Sequence, residues 1–177
     1  MNTWFTSDTH FGHENIIKYC NRPFENVEQM NETLIRNFNQ RIKPNDRVFF
    51  AGDFCFRNSA GGKKGEGETH KATYYQEKVN GIWTFIKGNH DRNNSLKTCI
   101  EKIVIRYGGE RICIVHNPLH ADKNYKYNFV GHVHERWKIR KLGDSSIMIN
   151  VGVDVWNFTP VSFEEIMRDV KKWQTTS

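Results

Sequence analysis

Short apolar runs alternate along this chain with segments of helical spacing. Val27, Met30, Leu34, Phe38 and Ile42 recur at three- and four-residue intervals, which predicts one long helix over Asn26–Ile42. Asn26 with Gln29 resembles a capping box at its start. Shorter helices are expected over His13–Cys20 and over Lys71–Val79, the second closed by Asn80-Gly81. A terminal helix should open at a second capping box, Ser162 with Glu165, and run to about Trp173. Strands are predicted at Thr3–Thr6, Arg47–Ala51, Ile82–Ile86, Ile103–Tyr107, Arg111–Val115, Phe129–Val130, Trp137–Lys141 and Ile147–Val151. Gly108-Gly109 and Gly143-Asp144 lie where hairpin turns are needed, and the Gly/Lys-rich stretch 58–68 reads as a loop. With no internal repeat and no clear linker, the pattern predicts one α/β domain over residues 1–177.

Composition narrows the class. The 177 residues are enough to bury a substantial core, and 13% aromatic content offsets a modest 37% of hydrophobic residues. Collagen, coiled-coil and mucin-like chains are thereby excluded. Cys20, Cys55, Cys99 and Cys113 are far apart with no C-x-x-C pair, so neither a zinc knuckle nor a disulfide framework is suggested. The N-terminus meets Asp8 before any long apolar region and does not read as a signal peptide. A soluble, cytoplasmic protein without membrane partners is the expectation.

Net charge is +6, and it is local. Residues 1–60 carry seven basic and seven acidic side chains, residues 61–141 sixteen and eight, and residues 142–177 three and five. A basic excess confined to the middle of the chain is either a solvated face or the footprint of an anionic partner, and charge alone does not separate the two.

The residues able to do chemistry cluster just beyond the strands. The strand ends read Ser7-Asp8-Thr9-His10, Gly52-Asp53, Gly88-Asn89-His90-Asp91, His116-Asn117 and Gly131-His132-Val133-His134. In an α/β sheet the carboxyl ends of neighbouring strands open onto one crevice, where sites are usually built. Two aspartates, one asparagine and four histidines able to ligate metal would therefore converge, together with the His90-Asp91 pair. A lone Asp-x-His would carry little weight. Five blocks at five strand ends carry much more, and a glycine before three of them lets the backbone turn sharply.

These residues resemble the calcineurin-like metallophosphoesterase family, whose five-block pattern stands here complete and in order from Asp8 to His134. Asn150-Val151-Gly152 continues the likeness, and Phe11-Gly12-His13-Glu14-Asn15-Ile16 with Asn21-Arg22-Pro23-Phe24 resembles a small bacterial and phage branch. Phe54-Cys55-Phe56-Arg57 departs from the pattern of the protein Ser/Thr phosphatases, so that substrate class is set aside. The resemblance implies a four-layer α-β-β-α sandwich of two mixed β-sheets flanked by helices. It also implies a dinuclear centre, with Asp8, His10, Asp53 and His134 on one ion and Asp53, Asn89, His116 and His132 on the other. Mixed imidazole and carboxylate donors suit manganese first, with iron, zinc, cobalt or nickel as alternatives, better than magnesium.

The activity so implied is hydrolysis of a phosphate ester by a hydroxide bridging the two ions. His90, not needed as a ligand, is expected to protonate the leaving oxygen, with Asp91 orienting its ring. The basic middle segment leans towards phosphodiesters, nucleotides or nucleic acid. A phosphomonoesterase on small compounds is the alternative, and a non-catalytic scaffold of the same fold a third reading, disfavoured because all five blocks stand. Candidate substrate contacts are His13, Arg22, Arg57 and Arg92. Each has a plain structural reading beside it: His13 can pack or cap its helix, and each arginine can be a surface residue.

Overall fold

In a computed structural model, the structure describes residues 1–56 and 70–176. Arg57 and the Gly/Lys-rich loop lie outside the described residues.

Two mixed sheets form the body. The first has the order β3-β2-β1-β9, built from β1 (Thr3–Thr6), β2 (Arg47–Phe50), β3 (Ile82–Phe85) and β9 (Val161–Ser162). Strands β1, β2 and β3 run parallel, and β9 is antiparallel to β1. The second has the order β4-β5-β6-β8-β7, from β4 (Lys102–Tyr107), β5 (Glu110–Val115), β6 (Tyr127–Val130), β7 (Ile139–Lys141) and β8 (Ile147–Asn150). Here β5, β6 and β8 are parallel, while β4 and β7 are antiparallel edges. Tyr107 pairs with Glu110 across Gly108-Gly109, both at positive φ, which is the two-residue hairpin that the glycine pair predicts.

Alternation along the strands separates the cores. Trp4, Val48 and Phe50 face one way and pack on Met30, Leu34 and Phe38 of α2 (Val27–Arg41) and on Tyr75 of α3 (Ala72–Gln76). Ile16 of α1 (Glu14–Tyr19) joins this cluster. Phe5, Ala51 and Ile86 face the other way and meet Ile112, Ile114, Phe129 and Ile149 of the second sheet. The terminal helix α4 (Phe163–Thr176) adds Phe163, Ile166 and Val170 to that shared core. On the far face of the second sheet Cys113, Val115, Val130 and Met148 are covered by Tyr125, Trp137 and Leu142. The sandwich of two mixed sheets with helices is therefore the fold, with α1, α2 and α3 on the first sheet. No helix among the described residues is long and apolar enough to cross a membrane.

Two caps show how local chemistry sets the boundaries. Ser162 and Glu165 bond reciprocally, backbone N–H to side chain in each direction, at 2.9 and 3.3 Å. At α2 only half of that arrangement forms: Gln29 donates its N–H to Asn26 Oδ1 at 2.9 Å, while its side chain accepts from Glu25 N instead. Helix α3 stops at Gln76, short of the predicted Val79, as Asn80 binds Asn39 and the Ile42 carbonyl and so pins the chain to α2.

Candidate metal centre

The parallel strands deliver the donors. Asp8 and His10 follow β1, Asp53 follows β2, Asn89 and His90 follow β3, His116 follows β5, and His132 and His134 follow β6. The two sheets' loops are tied to one another at this end. Asp8 donates its N–H to Gly52 O at 2.9 Å, Val153 donates to Ser7 O at 3.1 Å, and Ser7 and Gly152 form a parallel bridge.

Asp53 lies at the middle. Its Oδ2 is 3.5 Å from His10 Nε2 on one side and 3.3 Å from His116 Nε2 on the other. Its Oδ1 accepts the N–H of His90 at 2.8 Å. On one side Asp8, His10 and His134 bring ligand atoms within 4.8 Å of one another, and on the other Asp53, His116 and His132 do the same. Asn89 Oδ1 stands 2.9 Å from both His116 Nε2 and His132 Nδ1. His90 is within the same reach of His10 and Asp53, its ring 4.8 Å from that of His10.

The backbone bends to achieve this. Asp8, His10, Asp53, His132 and His134 all have positive φ, between 48° and 71°. That region is unfavourable for side chains with a Cβ, and strain of about 1–3 kcal/mol per residue persists where surroundings enforce it. The glycines beside the donors serve the same crowding. Gly52 has φ +94°, and a Cβ there would meet His116 Nδ1 at 2.5 Å; one at Gly88 would strike the Asp53 carboxylate. They make room for neighbouring donor side chains, a more specific reason than the sharp turns the sequence suggests.

The electrostatics are those of a site short of positive charge. Burial raises the pKa of Asp8. Burial pushes Asp53 in the same direction, but the hydrogen bond from His116 and the proximity of His90 bring it below the usual range. His116 and His134 overcome burial through Asp53 and Asp154 respectively, reaching about 9 and about 10. His10, fully buried, is driven well below its ordinary value by burial and then by Arg22. Neither of its ring nitrogens has a hydrogen-bond partner among the described residues. A buried imidazole left unpaired is costly, and a cation beside its lone pair removes that cost. The donor set therefore fits metal ions.

Supporting contacts decide the fate of the other predicted residues. Arg22 is only 4% exposed and donates to Asp154 at 2.8 and 3.0 Å and to the carbonyls of Asp8 and Thr9. It is no phosphate clamp, since its donors are used in bracing the first loop. Asp154, for which the sequence pattern gives no signal, accepts from Arg22 and holds His134 Nδ1 at 3.0 Å, leaving Nε2 directed to Asp8. His116 Nδ1 is fixed likewise on Ala51 O at 2.8 Å. Asp91 does not orient His90. Its two oxygens accept the N–H groups of Asp53, Phe54 and Gly88 and the amide of Asn94, at 2.8–3.1 Å. His13 is 5% exposed, stacked on Phe56 at 4.1 Å and held at a pKa of about 4 by burial and His90, so it stays neutral and packed rather than meeting phosphate as a cation. Arg92 is exposed and lines a cleft of about 180 Å³ with Lys87, Asn89, His116 and His120. A second cleft of about 270 Å³, bordered by His13, Tyr19, His90, His134 and Arg136, opens on the other side of the donors.

Two mixed sheets whose parallel strands end in carboxylate, imidazole and amide groups gathered about Asp53 define a class of α/β sandwich with clustered possible metal ligands. Within that class, the chain belongs to the calcineurin-like phosphoesterase superfamily, whose domain model matches residues 1–161. It is 39% identical to an uncharacterised protein of Methanocaldococcus jannaschii over 177 residues, covering 96% of this chain and 91% of that one. It is 31% identical to the gene 66 protein of Mycobacterium phage L5 over 106 residues, 60% of this chain and 47% of that protein. Among solved structures, a protein of unknown function from Aquifex aeolicus superposes with a TM-score of 0.68 at 22% identity, covering 94% of this chain and 97% of the other. That likeness speaks for the fold.

Proposed function

We propose that the protein is a phosphoesterase dependent on two divalent ions, manganese first, acting on phosphodiester or nucleotide substrates. The observation that carries this reading is the place of Asp53, whose Oδ2 stands between His10 and His116 and so can be shared by two ions. Asp8, His10, Asp53 and His134 would hold one, and Asp53, Asn89, His116 and His132 the other. When bound, two such ions supply a water-derived nucleophile at neutral pH and neutralise phosphoryl oxygens. His90, held by its N–H on Asp53, borders the donors without being needed among them and donates a proton to the leaving oxygen. Lys87 and Arg92 attract the anionic substrate from the 180 Å³ cleft. Clefts on both sides of the donors favour a phosphorus atom carrying two arms over a monoester.

Turnover of bis-p-nitrophenyl phosphate against p-nitrophenyl phosphate, with Mn²⁺ added, tests the reading, followed by nucleotides and single strands. Strong preference for the monoester would remove the diester assignment, and no turnover with any of the five metals would remove the enzymatic one. His90→Ala should lower kcat by about 10²–10⁴ on a diester with a poor leaving group. The loss should shrink when p-nitrophenolate, which departs without a proton, is the leaving group. Equal losses on both would show that His90 is not the acid.

A further inference from the structure

The two clefts beside the donors differ in chemistry, and only one of them contains His90. The first cleft is lined by the cations Lys87 and Arg92, with Glu101, His120 and the donors Asn89 and His116. The second cleft is lined by His90 and His134 and by Ile16, Tyr19 and Cys20. A general acid must stand beside the oxygen that leaves. With His90 as that acid, the leaving arm of the substrate would lie in the second cleft and the retained arm in the first.

We infer that Tyr19 makes this second cleft a seat for a leaving nucleoside, its ring stacking on the base. Tyr19 ends α1 as a residue 70% exposed, its ring 6.2 Å from that of His13 and steeply inclined to it. Isolated exposed aromatics are common and mean nothing alone. This one lines the same cleft as the proposed acid, together with Glu135 and Arg136. Aromatic faces bind bases of any sequence by stacking, and a guanidinium adds to it. On the other side, the cations suit the next phosphate of a strand. The substrate is accordingly an internucleotide diester bound in one direction. Hydrolysis forms a bond from a water oxygen to phosphorus and breaks the bond to the leaving nucleoside's oxygen. That oxygen keeps the electron pair and takes the proton of His90, and the attacking water's protons pass to His90 and solvent.

This assignment rests on the phosphoesterase reading, and two diesters with an identical retained arm separate the two. One releases thymidine, the other methanol. With Mn²⁺ present, the ratio of kcat/KM for the thymidine ester over the methyl ester should fall about tenfold in Tyr19→Ala and be retained in Tyr19→Phe. A ratio that Tyr19→Ala leaves unchanged overturns the inference. Should the wild-type protein hydrolyse neither ester, the enzymatic reading fails on its own, and calorimetric binding of thymidine monophosphate decides the cleft. Weaker binding to Tyr19→Ala than to wild type would uphold it; equal binding, or none to either, would overturn it.

Discussion

A buried carboxylate is tolerated only where donors replace water, and Asp91 has four of them. Three are backbone N–H groups from the loops after β2 and β3, so this one side chain staples together the segments that carry Asp53 and Asn89. Asp91→Ala would leave those amides buried without acceptors, at about 1–3 kcal/mol each. A loss of roughly 3 kcal/mol or more is expected in urea unfolding of the metal-free protein, together with weaker metal binding. An unchanged unfolding midpoint would show that the loops hold without it. Chain adjacency suggests that Asp91 serves His90, but the short 3₁₀ turn His90–Arg92 advances three residues per turn and sends neighbouring side chains in different directions. The imidazole turns to His10, the carboxylate into the body of the protein.

Among the elements, the start of β1, the end of α2 and the start of β2 meet at Asp46. Its carboxylate accepts from Asn2 N at 2.7 Å, Trp4 Nε1 at 3.0 Å and Lys43 N at 3.1 Å, and these bonds hold its pKa at about 2. A carboxyl depressed in the folded state contributes stability that is present above its ordinary pKa and lost as pH falls through the folded one. The stability of the protein should therefore decline between about pH 4 and pH 2 more steeply than that of Asp46→Asn, measured by urea midpoints across that range. Parallel curves would show that Asp46 is not the cause. Such elements were legible because each strand is a short apolar run and α2 carries Met30, Leu34 and Phe38 on one face. The candidate donors were legible for a related reason: parallel strands point their carboxyl ends the same way, so polar residues just beyond them must meet. Arg22 and Asp154 were not, because their contact spans 132 residues and nothing local in either segment announces it. Arg22 therefore reads as a surface cation in sequence, and the support it shares with Asp154 for His134 has no local sign.

At the scale of the molecule, the proton and the metal ion compete for the same histidines. The chain carries +6, with a surplus of eight basic side chains over residues 61–141, but the donors themselves stand among buried carboxylates. His116 and His134 titrate at about 9 and about 10, because Asp53, Asp8 and Asp154 surround them with negative charge. Their charged forms contribute stability to the metal-free fold that is fully present below the ordinary histidine pKa and lost as pH rises through 9 and 10. A ligating imidazole must be neutral, so ions that take these positions expel those protons. Metal affinity should consequently climb from pH 6 to pH 8, while the metal-free protein loses stability progressively from about pH 6.5 until the two histidines have discharged at about 9 and about 10. Calorimetric titration with Mn²⁺ at pH 7, repeated in buffers of different ionisation enthalpy, should show release of about two protons per chain. His134→Ala should reduce the release by about one, since Asp154 then has no imidazolium to pair. Binding without proton release would mean that the ions leave His116 and His134 charged, and both would have to be struck from the ligand set.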